Sequence, residues 1–182
     1  SLVSSSLWGS FLGTFANGQS TSKTFSDIGT IQSISFDWLR LDSWDGEAFK
    51  ITANGVEIFS RGFTSAQVTG SSIGTSNGYG WEIAPSAYGS FWRGTSGTNP
   101  EGWYDQRFTI TITPPADTRN LTIGLTSGLD QGADDEGWGI DNFSVVRSST
   151  SAAQALNETN TVLNSSNNAL TINDVDLTNT VT

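Results

Sequence analysis

Residues 34–59, ISFDWLRLDSWDGEAFKITANGVEIF, decide the fold class. Ile34, Phe36 and Trp38 alternate with polar neighbours, the period of a strand that buries one face. Farther along, two more alternating runs, Phe49/Ile51 and Val56/Ile58, flank Asn54-Gly55. An Asn-Gly pair supplies the positive φ angles of a type I′ turn, so residues 49–59 read as a β-hairpin.

The same alternation recurs outward from this segment. Phe108, Ile110 and Ile112 form a run that Pro114-Pro115 stops. Leu121, Ile123 and Leu125 form another, and WGIDNFSVV (138–146) reads as a further strand. Residues 10–16, 22–28 and 78–85 are shorter candidates. Helical periodicity is almost absent. The pattern predicts an all-β chain, a two-sheet antiparallel β-sandwich over residues 1–147. Composition shifts after Arg147. Residues 148–167 read as a Ser/Thr/Asn-rich linker, and residues 168–182 as a strand-bearing tail or the start of a further repeat.

Composition narrows the chemistry. Cysteine, histidine and methionine are all absent. The chain therefore lacks the usual near-neutral general base and the nitrogen and sulfur ligands that zinc and copper prefer. Oxygen is the ligand type in supply. Eighteen acidic residues against eight basic ones give a formal charge of -10, which disfavours nucleic acid as a partner. No apolar run approaches the roughly 20 residues of a membrane-spanning helix. Ser, Thr, Asn and Gly are abundant, Trp occurs seven times and Lys is scarce, a balance that points to an extracellular or cell-surface setting.

Two acidic clusters stand out. The first, LDSWDGEAF, holds Asp42, Asp45 and Glu47. The second, LDQGADDEGWGIDNF, holds Asp130, Asp134, Asp135, Glu136 and Asp141, with Asn142 beside them. No Lys or Arg lies between Arg119 and Arg147, so these acids have no basic partner nearby in sequence. Crowded carboxylates resist ionisation, and a divalent cation removes that cost. Calcium accepts about six to eight oxygens in flexible geometry, which an Asp/Gly-rich loop can supply. Neither cluster has EF-hand spacing. Asp141 lies inside an apolar run, where an unpaired carboxylate is expensive.

FDWLRLDSWDGEAFKITANGVEIF followed by LTIGLTSGLDQGADDEGWGIDNFSV resembles the jelly-roll, lectin-like ligand-binding domain of very large calcium-dependent bacterial adhesins of the repeats-in-toxin type. The resemblance covers roughly residues 10–147. It implies that acids from the two clusters share Ca2+, with Asp42, Asp45, Glu47, Asp135, Glu136 and Asp141 as ligands. The tail resembles the opening of a cadherin-like (VCBS-type) repeat, with Asp174-Val175-Asp176 at an inter-domain calcium position, but the sequence stops at Thr182, short of a whole repeat.

Residues 60–105 read as long loops with short strands, carrying Phe63, Tyr79, Trp81, Tyr88, Phe91, Trp92, Trp103 and Tyr104. Exposed Trp and Tyr stack on sugar rings or anchor peptides. Trp92, Trp103 and Tyr104, with Asp105 to bond hydroxyls, are the candidate ligand contacts. No nucleophile elbow, histidine triad or phosphate loop is visible, so the expectation is a binding module and not an enzyme. Its ligand would be a carbohydrate or peptide on another cell or surface, with neighbouring domains meeting the tail. An alternative of a different class is a filament or surface-layer subunit whose tail adds a strand to its neighbour's sheet edge.

Overall fold

The computed structural model describes residues 1–5, 8–26, 28–92 and 104–148, and the regular structure among them is entirely β. Its strands are β1 (Leu2–Ser5), β2 (Gly9–Phe15), β3 (Ser20–Phe25), β4 (Thr30–Asp42), β5 (Asp45–Ala53) and β6 (Val56–Thr64), then β7 (Ser72–Ser76), β8 (Tyr79–Gly89), β9 (Asp105–Thr113), β10 (Leu121–Ser127) and β11 (Glu136–Ser148). They form two antiparallel sheets. One has seven strands in the order β1-β2-β11-β4-β9-β8-β7, and the other has four in the order β3-β10-β5-β6. The two-sheet β-sandwich expected from the alternation is the fold. The tail at 168–182 and all but the first residue of the linker lie outside the described residues.

The decisive stretch folds as its chemistry requires. Asn54 and Gly55 take φ angles of 50° and 81°, and Ala53 pairs with Val56 across the turn. A second hairpin of the same kind joins β7 to β8. Asn77 and Gly78 have φ angles of 52° and 82°, and Ser76 pairs with Tyr79. Much of the region expected to be long loops is therefore paired strand: β6 runs to Thr64 and β8 to Gly89. The β1 strand was not signalled by the sequence either.

Inward-facing residues of both sheets meet on Trp38. Its ring lies 4.3 Å from Phe49, 4.7 Å from Phe63, 5.0 Å from Phe108 and 5.4 Å from Trp44. Rings at these separations and tilts add to the stabilisation from burial alone. Strand β4 is buried on both faces. Its even-numbered Phe36 and Trp38 enter the main core, while Leu39 and Leu41 pack with Trp8 and Phe11 in a second, smaller cluster.

The chain passes from β4 in one sheet to β5 in the other through Ser43-Trp44. The buried Trp44 indole N–H donates to the Gly137 carbonyl at 2.8 Å. This bond fixes the start of β5 beside the start of β11, and it brings the two acidic segments together.

Candidate functional site

Asp45 and Glu47 stand at the start of β5, and Glu136 opens β11 opposite Asp42 in the β4–β11 register. Carboxylate oxygens of Asp45, Glu47 and Glu136 lie within 4.8 Å of one another. Asp135 is tied to the β4–β5 connection, because the Ser43 hydroxyl donates to its carboxylate at 2.7 Å and lies 3.0 Å from its carbonyl. One oxygen of Glu47 accepts the backbone N–H groups of Asp45 and Gly46 at 2.9 and 3.1 Å.

Glu136 is the unusual member. The residue is 0% exposed, and neither carboxylate oxygen has a hydrogen-bond partner. Burial pushes its carboxyl up to about 7, and the charges of Glu47, Asp45, Asp130 and Asp135 push in the same direction. Asp45 is raised as well, first by its hydrogen bond with Glu47 and then by that group's charge. A buried carboxylate without a donor is costly, and an excess of like charge adds to the cost. Either a proton or a cation would relieve it. Oxygen atoms alone, from the starts of β5 and β11, make a donor set of the kind a hard divalent ion such as calcium accepts.

The sign of the pH dependence follows from the raised value. The unfolded chain releases the Glu136 proton near 4.3 and the ion-free native state only near 7. The contribution of Glu136 to stability is therefore greatest below the unfolded value. It falls as pH rises between the two, and it is flat above. In metal-free buffer, the melting temperature of Glu136→Gln minus that of the parent should grow between about pH 5 and about pH 7.5. A flat difference would contradict this placement of the carboxyl.

The remaining expected residues fall elsewhere. Asp141 lies on the far side of the seven-stranded sheet. It sits 3.7 Å from Arg107, which is 3.7 Å from Asp37. Asp37 also accepts hydrogen bonds from Thr109 and Asn142. Asp42 is buried, with its N–H donated to Asp105 at 2.9 Å. Asp105 itself is buried, and its second oxygen accepts the N–H groups of Phe91 and Trp92 at 2.5 and 2.6 Å. Trp92 is half-buried and packs edge-on against Phe11 at 5.3 Å, beside the smaller core. Tyr104 is exposed and leans on Tyr88 at 5.2 Å. Trp103 lies outside the described residues.

Sequence reasoning did not single out Arg40. It is completely buried, and its guanidinium donates to the carbonyls of Thr64, Ser65, Ala66 and Tyr104. No helix among the described residues is long and apolar enough to cross a membrane. Compared with family models, with curated proteins and with solved structures, the chain finds no match.

Proposed function

We propose that this β-sandwich is a calcium-stabilised, non-catalytic adhesion module that works outside the cell as part of a larger surface protein. The observation that carries the ion is Glu136, a sealed, unpartnered carboxylate facing two further carboxylates. The adhesive setting is supported by the acidic, cysteine-free, hydroxyl-rich composition and by the resemblance of residues 10–147 to domains of calcium-dependent adhesins. In this reading the ion ties the start of β5 to the start of β11 across the two sheets. Its role is to hold the sandwich closed at that end, and the ligand binds elsewhere.

The test is thermal unfolding of the full chain in excess EDTA, in millimolar calcium and in millimolar magnesium. Binding only the folded state adds about 2.7 kcal/mol at a hundredfold excess over Kd. For a chain of this size that is a rise of roughly 5–10 °C. Calcium should give that rise, and magnesium, which demands tighter octahedral geometry, a smaller one. Identical melting curves in all three buffers would remove the ion from the account.

A further inference from the structure

Asn-Gly occurs at 17–18, 54–55 and 77–78. Glycine has no side chain to shield its backbone nitrogen. That nitrogen can therefore reach the side-chain carbonyl of the asparagine before it whenever the turn relaxes, and asparagine counts among the thermolabile residues. The three turns differ in how firmly the rest of the chain holds them.

Asn54 is pinned through main chain and side chain. Its backbone N–H donates to the Thr122 carbonyl at 2.8 Å, and its side-chain oxygen accepts the Thr122 N–H at 2.8 Å. The hairpin that it closes is flanked by a further strand, because Ala53 pairs with Ile123 of β10 as well as with Val56. Asn17 is also pinned twice. Its backbone N–H donates to the Gln131 carbonyl at 3.1 Å, and its side-chain amide to the Asp130 carbonyl at 3.0 Å.

Asn77 sits in a weaker setting. Its hairpin ends in β7, a five-residue edge strand whose one partner in the sheet is β8. The residue is exposed, and its side-chain amide donates to the Glu57 carbonyl on β6 at 2.9 Å. Together with the Arg61–Ser72 bond at 3.3 Å, this bond fastens β6 to β7, the edges of two different sheets. A short edge hairpin opens more readily than one with strands on both sides.

We infer that Asn77 is a site of spontaneous deamidation and that its conversion loosens the join between the two sheets. The Gly78 nitrogen gives its proton to solvent base and attacks the Asn77 side-chain carbonyl carbon. The bond from that carbon to the amide nitrogen breaks, ammonia leaves and a cyclic imide remains. Water then opens the imide at either carbonyl, leaving aspartate or isoaspartate at position 77. The balance is one water consumed and one ammonia released. Either product faces the Glu57 carbonyl with acceptors where the amide had a donor. Aspartate suits the turn as well as asparagine does, so its effect is the lost cross-sheet bond. Isoaspartate adds a methylene to the main chain, which the two-residue turn cannot hold. At Asn54 the outcome differs, because an aspartate oxygen there still accepts the Thr122 N–H, now as a charged acceptor. The site shares no residue with the acidic cluster and stands without the ion.

The test is to age the full chain in warm buffer at neutral and at mildly alkaline pH, and to follow the three asparagines by peptide mapping with mass spectrometry. Asn77 should convert several-fold faster than Asn54 and Asn17. Its rate should rise with pH, because the attacking nitrogen must lose a proton. Asn77→Asp should melt roughly 2–4 °C below the parent, the loss of one hydrogen bond, and its β7 amides should exchange hydrogen faster. Asn54→Asp should stay within about 2 °C of the parent. The aged parent protein gives the same stability reading should Asn77→Asp fail to fold. Conversion at Asn77 no faster than at the other two positions would overturn the assignment of the site. An Asn77→Asp variant with the parent's melting temperature and β7 exchange would overturn its effect on the sheets.

Discussion

Glu136→Gln should raise the melting temperature of the chelated protein and, in the same variant, abolish the stabilisation by calcium. Most substitutions of fully buried residues destabilise, so the expected sign is diagnostic. Glutamine keeps the shape of the side chain and removes a charge that has no donor and faces Asp45 and Glu47 within 4.8 Å. Its amide N–H groups can donate to those carboxylates, where the native carboxylate only repels them. A rise of a few degrees without metal is the expected size. In millimolar calcium the order reverses, because the parent gains roughly 5–10 °C and the variant gains little. Isothermal titration should show calcium heat for the parent and none for Glu136→Gln. A variant that keeps the full calcium response would place the ion on other groups. One that unfolds in EDTA would show that Glu136 serves packing alone.

The fold was legible because its strongest signals are local. Asn54-Gly55 sits between two apolar alternations, and nothing distant is needed to read it. Asn77-Gly78 forms the same turn, yet its first strand is SIGTS, with one large apolar residue, Ile73, that is 77% exposed. A strand whose outer face is wet and whose inner face is glycine and hydroxyls carries no alternation to detect. The aromatics of the same region invited a reading as ligand contacts. Of the named contacts, Trp92 is half-buried and packs edge-on against Phe11 beside the smaller core, while Tyr104 is exposed. Composition reveals that aromatic residues are plentiful, not which side of a strand they occupy.

The acidic cluster divides along the same line. The abundance of carboxylates and the shortage of nearby bases were visible in the sequence. The meeting of Asp45 and Glu47 with Glu136 depends on a crossover between sheets and on the Trp44–Gly137 bond, neither of which has a local signature. Asp141 did carry a readable signal. It lies an odd number of residues after Glu136, and period two places it on the opposite face of β11. There it meets Arg107 and Asp37, while Glu136, Trp138 and Ile140 are the buried set.

Arg40→Met should be the most damaging single substitution at this end of the sandwich, costing about 3–5 kcal/mol. Arg40 is buried beside Trp38 on β4, yet it carries a charge where its neighbours carry rings. Its partners explain why. The guanidinium gathers the carbonyls of Thr64, Ser65 and Ala66, at and beyond the end of β6, and that of Tyr104 at the entrance to β9. Those segments belong to different sheets, so Arg40 joins the two where no strand pairing does. Burial lowers its pKa to about 10, and the nearby Asp105 charge opposes that fall. Asp105 in turn is raised by burial, against three backbone N–H bonds and the Arg40 charge. Methionine fills the volume but takes the guanidinium away from four carbonyls, of which that of Ser65 keeps the Tyr88 hydroxyl at 3.2 Å, and leaves Asp105 without the nearby cation. Lysine restores the charge but not the planar fork, so Arg40→Lys should recover only part of the loss. For a domain of this size the methionine variant should melt roughly 10 °C or more below the parent, with or without calcium. That insensitivity to calcium separates the two charge systems at this end. Arg40 is committed to carbonyls and Asp105, and the charges acting on Glu136 are carboxylates. A methionine variant within about 2 °C of the parent would mean that the cross-sheet bonds contribute little net stability.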